Sequence, residues 1–299
     1  GTWGAARRTM EVERIVCRAL RGGTVAMRSM GETFLPRDFR ERSKPQEYTA
    51  RLLRTFLFPG FDNAVGDLAA KPFQRALRVE GSDGLSPELA IIETDADREG
   101  TPLTSLAHGL LETMWDAGVG VILVDKPSVT VTNEDGTTRA MTRAEEAVGD
   151  VRPYFVPIHP DSLIDWSYRV DNGRRVLEMV KILEESQATN AKGDDVTVQT
   201  VRVWTEKEMQ HWERVVSSSQ APSGSVDGPA DLLLTARQAW IRTQADDKAP
   251  YTLKNKIPHG LGIVPIVVRN MKRGAVDQLR AEPPLRGLAW KNIEDWQIG

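Results

Sequence analysis

The chain has 299 residues and a mass of 33.2 kDa, with 40% hydrophobic and 27% charged residues, enough for one large core or two modules of roughly 150 residues. Its longest apolar stretches, Val119-Gly-Val-Ile-Leu-Val124 and Ile263-Val-Pro-Ile-Val-Val268, fall far short of the roughly 18–20 residues of a bilayer-spanning helix, so no membrane partner is expected. The formal charge of -3 hides an asymmetry: residues 1–60 carry 12 Lys/Arg against 6 Asp/Glu, and the acidic excess lies in the remainder.

Chain order begins with helices. Val12, Val16, Cys17 and Leu20, then Val25, Met27 and Met30 beyond Gly22-Gly23, predict a bent helical arm. Ser43-Lys-Pro-Gln46 has the spacing of a capping box, and Tyr48, Leu52, Thr55 and Phe56 make one apolar face before Pro59-Gly60 stops the helix. A short helix over 61–70 follows. Thr101-Pro102 starts another, with Leu103, Leu106, Leu110, Leu111 and Met114 as its stripe and Gly118 as its stop. Residues 119–124 are too short for a helix and rich in β-branched side chains, which predicts a buried strand. Asp135-Gly136 signals a hairpin, and Thr142-Arg-Ala-Glu145 a second capping box.

From 151 the pattern turns to strands: 154–158, 163–170 and 174–183 around Asp171-Asn-Gly173, then 196–205, 209–216 and 232–243, with 217–229 as a loop tip. Pro265 interrupts 263–268 and makes it a sheet-edge strand or an irregular one. Beyond Pro283-Pro284, Leu285, Leu288, Ala289, Asn292, Ile293 and Trp296 recur at helical spacing and predict an amphipathic helix, with Leu288, Asn292 and Trp296 on a packed face. The fold class expected is therefore α+β: a helical arm and helices packed on a small, mostly antiparallel sheet. The expected division is 1–80 helical, 81–150 α/β with a hairpin, 151–280 β-rich, and 281–299 a terminal helix.

Familiar catalytic patterns do not emerge. His108, His159, His211 and His259 stand apart from each other and from the single Cys17, which predicts packing or surface histidines, a buried inert thiol and no disulfide. Asp95-x-Asp97-x-Glu99-Gly100 opens like a calcium loop, but Leu106 occupies the place of the bidentate glutamate. No Gly-x-x-x-x-Gly-Lys-Ser/Thr loop and no Gly-x-Ser-x-Gly elbow occurs, and Gly260-Leu-Gly262 is a turn. No cofactor and no catalytic residue is expected. Trp166, Trp204, Trp212 and Trp240, interleaved with Arg169, Arg202, Arg214 and Arg242, fit either a stacking platform for single-stranded nucleic acid or, as preferred here, a sheet with one packed face.

Taken in order, several segments resemble portal proteins of tailed double-stranded DNA phages, in a portal-like branch of unknown function. They are Tyr48-Thr-Ala-Arg-Leu-Leu-Arg54, Phe61-Asp-Asn-Ala-Val-Gly-Asp-Leu-Ala-Ala-Lys-Pro-Phe73, Gly100-Thr-Pro-Leu-Thr-Ser-Leu106, Ala117-Gly-Val-Gly-Val-Ile-Leu-Val-Asp125, Arg152-Pro-Tyr-Phe-Val-Pro-Ile-His-Pro-Asp161 with Ile164-Asp-Trp166, Ile263-Val-Pro-Ile266, Pro283-Pro-Leu285 and Asn292-Ile-Glu-Asp-Trp-Gln297. The resemblance implies a noncatalytic subunit of a homo-oligomeric ring, commonly of twelve, at the portal vertex of the virion, assembled in the host cytoplasm. Double-stranded DNA would pass through it. Its partners would be the packaging motor (terminase large subunit), the major capsid protein, scaffold and head-completion adaptor proteins. On this mapping 1–280 corresponds to the wing and 285–297 to the start of a stem helix, whose Leu285, Leu288, Ala289, Asn292, Ile293 and Trp296 would pack between neighbouring subunits. The alternatives are another phage structural or head–tail adaptor protein, and a nucleic-acid or small-substrate enzyme in which Asp95, Asp97 and Glu99 converge on a metal.

Overall fold

The computed structural model describes residues 5–79, 90–127, 130–132, 138–142, 145, 151–189, 193, 195–217, 250–272 and 277–298. The fold is α+β. Helices α1 (Ala5–Arg21), α2 (Gly23–Met30), α3 (Pro45–Arg54), α4 (Gly60–Ala70) and α5 (Leu103–Ala117) come before the sheets, and α6 (Arg286–Ile298) closes the chain. A three-stranded antiparallel sheet has the order β10-β1-β4, built from β1 (Val119–Asp125), β4 (Tyr154–Ile158) and β10 (Ile266–Asn270). A five-stranded antiparallel sheet runs in sequence order through β5 (Leu163–Asp171), β6 (Arg174–Thr189), β7 (Asp195–Thr205), β8 (Glu208–Ser217) and β9 (Thr252–Pro258). β2 (Thr130–Thr132) pairs with β3 (Thr138–Ala140) as the hairpin expected around Asp135-Gly136.

Among the described residues two apolar cores result. The helical core gathers Val16, Leu20, Met27, Tyr48, Leu52, Phe61 and Val65 from α1–α4 with Ala289, Ile293 and Trp296 of α6. The sheet core joins Val119, Val121 and Leu123 of β1 to Leu163, Val180, Ile182 and Trp204 of the larger sheet. α5 runs directly into β1 through Gly118, which sits in the left-handed region at φ +81°, where an added Cβ would also collide with the Glu282 carbonyl. The β5–β6 turn has Asn172 and Gly173 both at positive φ (+48° and +78°), the geometry that matches the twist of a two-residue hairpin.

Several expectations need correction. The Ser43 capping box does not form: α3 begins without a side-chain cap, Pro45 sits in its first turn, and the reciprocal pair is Asp38 with Glu41, heading the 3-10 turn Phe39–Ser43. α3 ends at Arg54, so Thr55 turns inward while Phe56 stands outside. The strands beyond 151 do not make one sheet, because β4 and β10 flank β1. β9 was not foreseen; it is exposed at every residue and so carries no buried period. By contrast, Thr142 and Glu145 exchange the two capping bonds expected of them, Thr142 N–H to Glu145 at 2.8 Å and Glu145 N–H to Thr142 Oγ1 at 3.4 Å. Of the expected loop tip at 217–229 only Ser217, the end of β8, is described; the rest of it and the expected strand at 232–243 lie outside the described residues.

The attachment of α6 rests on polar side chains as much as on its apolar face. α4 follows Pro59, which offers no side-chain cap, and its second residue, Phe61, donates its N–H to Asn292 Oδ1 of α6 at 2.8 Å. Asn292 Nδ2 donates in turn to the Phe58 carbonyl at 2.9 Å. A residue 231 positions away thus supplies the cap that α4 lacks locally. Trp290 Nε1 reaches Glu13 (3.1 Å) and Gln297 Nε2 the Phe34 carbonyl (3.1 Å). Asn292→Ala leaves the Phe61 N–H without its acceptor in a buried setting, while the Phe58 carbonyl keeps the Gly60 N–H, and the expected loss in urea denaturation is about 1–3 kcal/mol.

Candidate functional site

The six residues singled out on the terminal helix divide unevenly. Ala289, Asn292, Ile293 and Trp296 are buried in the chain's own helical core, and Leu285 packs partly against it. This face is therefore consumed within the subunit, which corrects the expectation that it packs against a neighbour. Leu288 is 39% exposed and is not on the packed face as expected. The helical period correctly found a buried stripe; what buries it is the N-terminal helices.

Several large apolar groups that do face outward lie in the N-terminal helical part. Phe39 is 81%, Phe56 74% and Phe58 65% exposed, and Leu53 stands out beside them in sequence. Phe56 and Phe58 are not loose. The Arg28 guanidinium donates twice to the Thr55 carbonyl (3.2 and 3.0 Å), the Leu57 N–H donates to Thr24 Oγ1 (3.2 Å), and Asn292 holds the Phe58 carbonyl. The segment is thereby extended, with Thr55 and Leu57 buried and the two phenylalanines turned out. Exposed Arg40, Arg42, Lys44 and Arg54 occur in the same stretch, with the Arg42 guanidinium 5.9 Å from the Phe39 ring centre. The available signal in the sequence is the unbroken Phe56-Leu-Phe58 triplet ahead of Pro59, of which the helical spacing places only Phe56 on an apolar face.

The acidic turn is internally committed. Asp95 Oδ1 accepts the Gly100 N–H at 3.0 Å while its Oδ2 meets the Arg152 guanidinium at 2.5 Å, and Arg152 is 1% exposed. Asp97 Oδ1 accepts the N–H groups of Glu99 (2.8 Å) and Thr101 (3.1 Å). Burial opposes ionisation of Asp97, but hydrogen bonds from Thr101 and Glu99 prevail and hold its carboxyl below the ordinary range. Among the described residues no group of three His, Cys, Asp or Glu side chains is placed to hold a metal ion. The turn thus serves as a clamp between the approach to α5 and β4, reinforced by the Phe155 N–H on the Ala96 carbonyl (2.8 Å).

The tryptophans and arginines of the sheet do not form a stacking platform among the described residues. Trp204 is buried, Trp166 donates to Asp277 (3.2 Å) and Trp212 to Gln210 (3.1 Å). Arg169 pairs with Glu206 (2.7 Å), Arg202 with Glu184 (3.1 Å), and Arg214 donates to Gln199 (2.8 and 2.6 Å). Trp240 and Arg242 lie outside the described residues. The histidines are dispersed: His108 lies 3.9 Å from Glu112, His159 accepts the Asp161 N–H at 3.3 Å, His211 lies 3.0 Å from Glu213, and His259 is 2.9 Å from the Thr205 carbonyl. Burial favours the neutral form of His159.

Two charged junctions join the units. Arg14 donates to the Pro160 carbonyl at 3.4 Å and Arg18 pairs with Asp161, fixing α1 to the turn that leads into β5. One turn further on, Arg21 meets three carboxylates: Asp62 of α4, and Glu112 (3.2 Å) and Asp116 (3.2 Å) of α5. Burial, opposed by Arg21 and aided by Glu112 and Asp62, pushes the Asp116 carboxyl up to about 6. Cys17, one turn before Arg21, is buried as expected, and burial with the neighbouring Asp116 and Glu13 charges pushes its thiol up to about 12.

Compared with protein-family models and with curated proteins, the sequence has no significant match.

Arg152→Met strips the partner from Asp95 at the centre of the acidic turn, and an expected loss of about 3 kcal/mol is measurable by urea denaturation. The Asp95→Asn/Arg152→Met double variant should lose less than the two single losses together, since neither charge is then stranded.

Proposed function

We propose that this chain is a noncatalytic subunit of a phage portal, a ring at the capsid vertex through which double-stranded DNA is packaged and released. The observation that carries the proposal is the outward presentation of Phe56 and Phe58 by a backbone held in place by hydrogen bonds, with Phe39 exposed as well. Large apolar groups fixed in solvent mark a surface that another macromolecule covers. Copies of the same chain are the natural occupants in a closed ring, whose heterologous contacts repeat around an axis. The ordered motifs that resemble portal proteins supply the kind of assembly. On this reading the packaging motor, capsid, scaffold and head-completion proteins meet other surfaces, and DNA slides past without a fixed cluster of phosphate contacts, since each such contact adds affinity and salt dependence.

A second reading, another phage structural or head–tail adaptor protein, draws on α6, whose apolar face is satisfied inside the subunit. The two are separated by imaging and native mass spectrometry of the product of the complete open reading frame. Rings with a central pore are expected from a portal; a product that stays monomeric at tens of micromolar overturns the proposal. The double variant Phe56→Ser/Phe58→Ser should retain the helical circular dichroism of the parent and lower the assembled fraction at least tenfold.

A further inference from the structure

The junction between α1, α4 and α5 has an unusual charge count. The single guanidinium of Arg21 faces three carboxylates: Asp62 on α4, and Glu112 and Asp116 on α5. Asp116 offers Arg21 its Oδ2, while its Oδ1 is buried with no hydrogen-bond donor. An ionised carboxylate that lacks a donor on one oxygen and has two like charges nearby is relieved by taking up a proton. The remaining titratable groups at the junction are Cys17 of α1, with Glu13 a turn before it, and His108 of α5, 3.9 Å from Glu112. Glu13 is already engaged by Trp290.

We propose that this junction is a proton-operated latch: a proton on Asp116 fastens α1 against α4 and α5, and its loss loosens α1. The sign follows from the carboxyl being raised to about 6 in the closed state, against 3.8 for the free group. The closed state holds a proton that the open state releases, so closure is strongest in acid and weakens as pH rises through about 6. The opening equilibrium should grow about tenfold between pH 5 and 7.5 and then level off.

The chain contains a reporter for this motion. Cys17 is its single cysteine, lies on α1 one turn from Arg21, and is 1% exposed. A buried thiol with a raised pKa reacts only when α1 lifts. Labelling by a pyridyl disulfide, which reacts in mild acid, is compared at each pH between the parent and Asp116→Asn, so that the pH dependence of the thiol chemistry cancels. The ratio of parent to variant rates should rise about tenfold from pH 5 to 7.5, with its midpoint near 6. A ratio independent of pH overturns the latch. Asp62→Asn removes one like charge and should move the midpoint to lower pH; an unmoved midpoint also counts against it. Should Asp116→Asn fail to fold, carbon-13 NMR of the parent decides the matter: an Asp116 carboxyl titrating near pH 6 supports the latch, and one titrating below 5 overturns it.

Discussion

Asn292 carries two backbone hydrogen bonds across nearly the whole length of the chain, from α6 to the Phe58–Phe61 turn, and much of the helical half depends on them. A helix that follows proline has unsatisfied N–H groups and no side-chain oxygen at its cap position. Here the C-terminal helix provides one, and the same amide fixes the carbonyl of Phe58. Around that polar stitch Ala289, Ile293 and Trp296 complete the core formed by α1 to α4. Neither terminal region of the sequence can bury its apolar side without the other, so formation of this core requires the ends to meet, a pairing of high contact order that slows folding.

The two cores are held together by a short covalent hinge and a few charged links. Gly118 lets α5 turn directly into β1 with the chain segment at Glu282 lying against it. Arg152 anchors the acidic turn beside β4, and Arg14 and Arg18 tie α1 to the Pro160 turn. The buried Arg14 and Arg152 add little net stability but define where one unit sits on the other, since a misplaced neighbour strands them.

What could be read in the sequence was local. The stripe through Leu103, Leu106 and Met114, its stop at Gly118, the strand that follows, and the Asn172-Gly173 turn each follow from a short period or from a residue that tolerates positive φ. The failures share a cause in long-range pairing. β1 finds β10 some 145 residues later, which splits the expected sheet, and no local pattern announces it. Phe56 looks like the end of an apolar helix face until Arg28 and Thr24 claim the backbone around it. For the terminal helix, spacing put Leu288, Asn292 and Trp296 on a packed face; Asn292 and Trp296 are buried and Leu288 is not, and spacing could not say against what, because periodicity records that a face is covered and nothing about its cover.

Among the described residues β9 is an edge strand of the larger sheet, and this bears on how copies of this chain can meet. Its Lys254 and Lys256 lean on Glu213 and Glu208 of β8, and it ends at Pro258. Two such edges brought side by side would set lysine against lysine and confront a residue that has no N–H to give. This margin therefore works as a fence against fibrillar growth: the β-sheet is steered away from templating its own continuation there, and higher-order contact is left to surfaces built from side chains.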